Sequence, residues 1–284
     1  VFDVFARRAF EGNPTGIVYY DGPADRDLTQ RIAAELPVPD TIFLMPPFSP
    51  GELFSSLAFS PYEELKICGQ GLIGAMFSLL DDGKLSPGIH TVGTALGKTR
   101  TFVEPGKETP IYVSLGKPTI SKVSQREWAD AVRLLKMDVH VDAPKAFVDL
   151  GRRRLAIEVP PMALKDSDPD SADVMAVCKA LGITGLVFCA QDKERSGYVR
   201  TRFFTTSLNG REDAVAGGAA AAVLAFCRDR GLLTGSSPLT VHQGGFATRQ
   251  GYIFARVEEA SQEILVGGSA VKVLEGQLRL TSQK

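Results

Sequence analysis

Residues 68–85, CGQGLIGAMFSLLDDGKL, begin with a cysteine and closely spaced glycines, then run as an apolar segment to Gly83. Residues 216–233, AGGAAAAVLAFCRDRGLL, align on them without a gap: Gly69 meets Gly217, Asp81 meets Asp229 and Gly83 meets Gly231. Both stretches read as helices with small residues at the mouth and a glycine just past the end. Neither has a polar face, so each must be buried on all sides. A second pair, IAAELPVPDTIFLM (32–45) and VCKALGITGLVFCA (177–190), follows the same order at nearly the same offset. Each of these reads as a helix end, a short turn and an apolar strand. Two such matches point to an internal repeat. The expectation is two halves of similar build, each a strand-rich wall around one central helix, with a functional site in the cleft between them.

Composition narrows the function classes. The 32 basic and 33 acidic residues leave a net charge of −1, so no global field recruits nucleic acid or an anionic membrane. The longest apolar run, Ala214–Phe226, is short and rich in Ala and Gly, too weak to span a bilayer. No basic segment leads into an apolar core at the N-terminus, so no secretion signal is visible, although a chain that starts at Val1 leaves room for residues before it. Cys68, Cys178, Cys189 and Cys227 are scattered, and His90, His140 and His242 fall outside any ligand spacing. A metal site and a disulfide framework are therefore not expected, and the setting is expected to be cytoplasmic.

Outside the repeats, two β-rich runs flank the turn Gly12-Asn13-Pro14. Asp27–Glu35 has helical spacing, with Asp27 as N-cap and Pro37 as the stop. TIFLMPP (41–47) reads as a buried strand. Thr101–Val113 reads as further strand, broken by a turn around residues 106–108.

The glycines at the first helix mouth admit three readings. Gly69, Gly71 and Gly74 have the spacing of a dinucleotide loop, but Asp81 and Asp82 belong to the helix end and no second strand carries the partner acid. Cys68 at a helix N-terminus could be a reactive thiolate. The repeat, however, places Ala216 opposite it, and a small buried cysteine under a turn is the plainer account. Third, free backbone N–H groups at both helix mouths could hold an anion in the shared cleft, or the glycines could simply allow strand–helix packing.

Several segments together resemble the phenazine-biosynthesis-like (PhzF-like) isomerase family. They are FARRAFEGNPTGIV (5–18), LPVPDTIFLMPP (36–47), FSPYEELKICGQG (59–71), RFFTTSLNGREDAVAGGAAAAV (202–223), HQGGFATRQGYI (242–253) and VGGSAVKVLEGQL (266–278). The resemblance implies the diaminopimelate-epimerase-like α+β fold: two pseudo-symmetric halves, each a strongly curved, mostly antiparallel, barrel-like sheet around a central helix. The halves would be 1–113, with a return strand from about 268–284, and 114–267. It also implies a cofactor-free site that moves a proton along a small carboxylated metabolite, in a homodimer that binds neither nucleic acid nor membrane.

Carried over by position, the family's catalytic Glu falls on Asp40, its His on Gln70, its Asp on Asp213 and its Ser on Gly218. Asp40 keeps the carboxylate with one methylene less reach, and Gln70 cannot titrate. The expected catalytic set is Asp40, Asp213 and Gln70. Gly69, Gly71, Gly217, Gly218 and Asn13 are the expected substrate-binding residues, without metal or cofactor. The altered set also leaves room for an elimination or cyclisation, or for a member that binds without turnover.

Overall fold

The computed structural model describes residues 1–22, 25–106, 111–135, 140, 142–233, 238–246 and 249–280. In the first half, Phe2–Val4 pairs antiparallel with Asn13–Tyr19, and Asp40–Met45 returns parallel to it after the helix Arg26–Glu35. Ser55–Phe59 runs antiparallel to Asp40–Met45, and the two-residue strand Glu64–Leu65 folds back on its end. The central helix Gly69–Asp81 follows, and the chain then adds Gly88–Thr94, Gly97–Val103 and Ile111–Ser114.

The second half repeats these pairings with the same directions. Lys145–Asp149 is antiparallel to Arg153–Glu158, and Gly185–Gln191 returns parallel after the helix Ser171–Leu181. Tyr198–Thr205 is antiparallel to that strand, and Glu212–Asp213 folds back on its end. The helix Gly217–Asp229 leads to Leu239–Gly244, Gln250–Val257 and Ile264–Gly268. The sheets join where Ile264–Gly268 pairs with Ile111–Ser114, and Ala270–Lys272 closes on Phe2–Val4. The fold is α+β, with two pseudo-symmetric halves that each curl a mostly antiparallel sheet around one helix.

Strand alternation sorts the cores. Ile42 and Leu44 face the first central helix, while Phe43 and Met45 face outward onto Ile32 and Ala33. In the second half Ala156 faces its helix, and Leu155 and Ile157 pack outward against Trp128 and Val174. Ala219–Ala222 are fully buried, and their small side chains let the strands approach the helix closely. Each large buried side chain, such as Leu72 or Phe226, contributes about 1.5–3 kcal/mol of transfer free energy. Gly83 and Gly231 follow the helices with φ of +67° and +69°, the left-handed stop expected of them.

Three local expectations change. The first helix starts at Arg26, and its N-cap is Asp25, which accepts from the Leu28 N–H at 3.0 Å, so Asp27 lies inside the first turn. Asn13 and Pro14 begin a strand rather than form a turn, because Val4 pairs with Asn13. The stretch 101–113 is two strands, ending at Val103 and resuming at Ile111; Lys107 and Glu108 of the expected turn lie outside the described residues. Among the described residues no helix is long and apolar enough to cross a membrane.

Candidate active site

Both central helices point their N-termini at one cleft of about 730 Å³, part of it open to solvent. Asp40, Gln70, Arg152, Arg154, Asp213 and Gly218 line it, with Leu115, Leu150 and Phe203 as apolar wall. The two halves thus contribute to one space.

Asp40 opens the strand Asp40–Met45 on the face that carries Ile42 and Leu44 inward, so alternation aims its carboxylate at the helix mouth. The Cys68 thiol donates to Asp40 Oδ2 at 3.3 Å. Cys68 also caps the first helix, its sulfur accepting from the Gly71 N–H at 3.3 Å. Burial and the neighbouring Asp40 hold this thiol well above its ordinary range, so it stays protonated as a donor.

Asp213 comes from the other half. It pairs with Phe203, whose side chain belongs to the inner core, so it shares that inward face. Its neighbour Glu212 faces the other way and is clamped by Arg202, with Nε to Oε1 at 2.9 Å and Nη2 to Oε2 at 2.8 Å. That bidentate pair fixes the short strand and therefore Asp213. Asn13 Nδ2 crosses between the halves to donate to Asp213 Oδ1 at 2.6 Å and to the Val215 carbonyl at 2.7 Å.

The two acids have unequal surroundings. Burial pushes Asp40 up to about 6, opposed by the Cys68 hydrogen bond and by Arg152. Burial, and then repulsion from Asp40, pushes Asp213 up to about 8, opposed by the hydrogen bonds from Asn13 and the Val215 N–H. Like charges in one cleft raise whichever group ionises second, which here is Asp213. The pair is coupled, so its protons leave in two steps, and Asp213 is the group pushed further toward keeping its proton.

Gln70 is buried and tied in place. Its Oε1 accepts from Asn13 at 3.2 Å and its Nε2 donates to Thr15 Oγ1 at 3.3 Å. It can position neighbours, but it cannot carry a proton. Gly69, Gly217 and Gly218 line the cleft as expected, whereas Asn13 and Gly71 stand behind its wall. Asn13 is spent on Asp213 and its neighbours, and the Gly71 N–H on Cys68, so neither is presented to the space.

The arginines of the cleft were not anticipated. Arg152 donates to Ser207 Oγ at 2.6 Å and to Glu63 Oε1 at 3.2 Å, linking the second half to the first above the cleft. Arg154 lies deeper, on the inward face of its strand with Ala156. The signal was the run GRRRL (151–155), in which strand alternation puts 152 and 154 on one face.

The chain matches the family described as "Phenazine biosynthesis-like protein" over residues 2–276. It is 23% identical to the trans-2,3-dihydro-3-hydroxyanthranilate isomerase of Pseudomonas fluorescens, covering 99% of this chain and 98% of that protein. It is also 23% identical to "Antisense-enhancing sequence 1" of Schizosaccharomyces pombe, over 97% of this chain and 96% of that one. Among solved structures, the PhzF-family phenazine biosynthesis protein of Bacillus anthracis superposes with a TM-score of 0.83 at 22% identity, covering 98% of this chain and 97% of the other. With a match that spans nearly its whole length and a fold shared end to end, this chain belongs to the phenazine biosynthesis-like family.

Proposed function

We propose that the chain is a cofactor-independent isomerase that moves a proton along a small anionic, unsaturated metabolite held in the cleft. The observation that carries this is the pair of acids with separated protonation: Asp40 pushed to about 6 and Asp213 to about 8. An acid and a base poised on either side of neutrality are what a one-proton shift requires. Ionised Asp40 takes a proton from carbon, and protonated Asp213 delivers one to another position or to an oxygen that gains charge. The double bond moves with the protons, no electrons are exchanged, and solvent resets the pair. The Cys68 thiol hydrogen-bonds Asp40 and stabilises its ionised form, while Gln70 and Asn13 hold Asp213 and the helix mouth in place. Two enclosed acids cost stability, and a member that only bound its ligand would gain nothing from keeping them so.

The relative named for isomerising trans-2,3-dihydro-3-hydroxyanthranilate suggests the first compound to try, alongside other small unsaturated carboxylates. In D₂O the product should carry solvent deuterium. Asp40→Asn should lower the rate by about 10²–10⁴-fold, the usual weight of a positioned acid or base. If no compound in the set exchanges, or if Asp40→Asn turns over at the parental rate, the proton-transfer reading fails.

A further inference from the structure

Arg154 is 9% exposed and lies in the cleft wall without a carboxylate partner among the described residues. Among the described residues its single hydrogen bond runs from Nη1 to the Arg152 carbonyl at 3.0 Å, and its buried Nε has no partner. Nη2, which forms one edge of the guanidinium with Nε, makes no hydrogen bond to a described residue. The Phe203 ring lies 5.6 Å below the group.

The position of this group is equally telling. A Cβ added at Gly218 would sit 2.5 Å from Arg154 Nη2, so the guanidinium occupies the space that a side chain there would fill. Gly218 is in the first turn of the helix Gly217–Asp229, and no side chain caps that helix because its N-cap is Ala216. A cation is thus placed against the positive end of a helix dipole, where it is disfavoured. Burial, and then the second positive charge of Arg152 nearby, pulls Arg154 down to about 10. Asp149 and then Asp213 draw on it through space, yet among the described residues neither acid is hydrogen-bonded to it.

We infer that Arg154 is the substrate-anchoring residue of this enzyme: its free Nε–Nη2 edge and the first-turn amides of Gly217 and Gly218 grip the carboxylate of a small metabolite. Both oxygens of a carboxylate match that edge of a guanidinium. The anion neutralises the guanidinium and the helix end together. Gly218 is glycine because the anchor needs its space. This deepens the reading of the cleft as a metabolite site, but it does not depend on Asp40 or Asp213 being chemically active.

The test therefore measures binding alone. Acetate, benzoate and inorganic phosphate are titrated by calorimetry into the parent, Arg154→Gln, Gly218→Ala, the double variant and Asp40→Asn, with melting temperatures recorded for each. Carboxylates should bind the parent and weaken about tenfold or more in Arg154→Gln, the loss of a charge-assisted pair. Gly218→Ala should weaken them too, by displacing the guanidinium. In the Arg154→Gln background it should add little, since the colliding group has gone. Asp40→Asn should leave carboxylate binding intact or tighter, whatever it does to turnover.

Ligand-free Arg154→Gln should melt no lower than the parent, because an unpaired buried cation has been removed. A purely structural arginine would instead lower the melting temperature and leave affinity alone, which would overturn the inference. So would carboxylate affinities within twofold of the parent in both single variants, or the absence of saturable carboxylate binding to the parent. An Arg154 dependence confined to phosphate would overturn the carboxylate assignment.

Discussion

At the mouth of the first central helix a long helix residue meets a short strand residue, Gln70 donating to Thr15. At the second mouth the lengths are exchanged, and Gly218 meets Arg154. The positions correspond: the offset that carries Gly69 to Gly217 carries Gln70 to Gly218, and Gly16 pairs with Thr41 as Leu155 pairs with Leu186. The same gap between helix mouth and strand is filled from opposite sides. The first filling is neutral and hydrogen-bonded, with a sulfur cap on the helix. The second is charged, uncapped and only partly bonded. A pseudo-symmetric scaffold has thus made one mouth self-sufficient and left the other in want of an anion.

The acids break the symmetry as well. The repeat places Gly185 where Asp40 stands and Leu65 where Asp213 stands, so each half supplies one carboxylate from a different element. The largest effect should come from removing the acid on the second side. Asp213→Asn should lower turnover by about 10²–10⁴-fold, as general acids do. Its stability should move the other way, in a direction set by its raised pKa. A carboxyl whose pKa rises from 3.8 to about 8 on folding supports the fold fully below pH 3.8 and loses that support as pH climbs through 8. Asp213→Asn should therefore melt higher than the parent at pH 9, with the gain fading toward pH 4. A parental rate, or a gain that grows in acid, would break the assignment of the proton to Asp213.

A smaller effect should follow at the joint between the halves. Asn13 is 1% exposed and donates to groups of both, so Asn13→Ala leaves the Val215 carbonyl and Gln70 Oε1 without that donor. Buried acceptors stripped of a partner cost about 1–3 kcal/mol each, which suggests a loss of roughly 2–4 kcal/mol in a denaturant titration. Asp213 also loses a hydrogen bond that favours its ionised form, so the alkaline limb of the pH–rate profile should shift upward. If that limb stays in place, Asn13 is a structural clasp and has no bearing on the acid.

Much of this was legible in the chain, for reasons that differ by residue. The two helix mouths were visible because glycines and an unbroken apolar helix leave a periodic trace that survives where the rest has diverged. Asp40 and Asp213 were legible through the resemblance, since residue-type habits alone would place them in turns and caps. Arg154 was not, because its meaning rests on a missing Cβ at Gly218, in a distant element, and on the lack of a partner. Gly71 and Asn13 fall outside the cleft lining for a related reason: motif spacing brings residues to a site without saying which way their donors point. The Gly71 N–H points to Cys68, and the Asn13 amide points across to Asp213.

The smallest effect should separate the two mouths most cleanly. Cys68 serves the first mouth twice, capping the helix and donating to Asp40, whereas Ala216 at the second does neither. Cys68→Ala would make the first mouth resemble the second, at a cost of about 1 kcal/mol for the lost cap. It should also push Asp40 further up, because the thiol hydrogen bond lowers its pKa. The acid limb of the pH–rate profile should then move to higher pH with little change in the plateau. Cys68→Ser, which keeps both a cap and a donor, should restore the limb and the melting temperature. A nucleophilic thiol would give the opposite pattern, with the plateau lost in both variants. The two possibilities therefore part on the height of the profile, while the tuning role is read from the position of its acid limb.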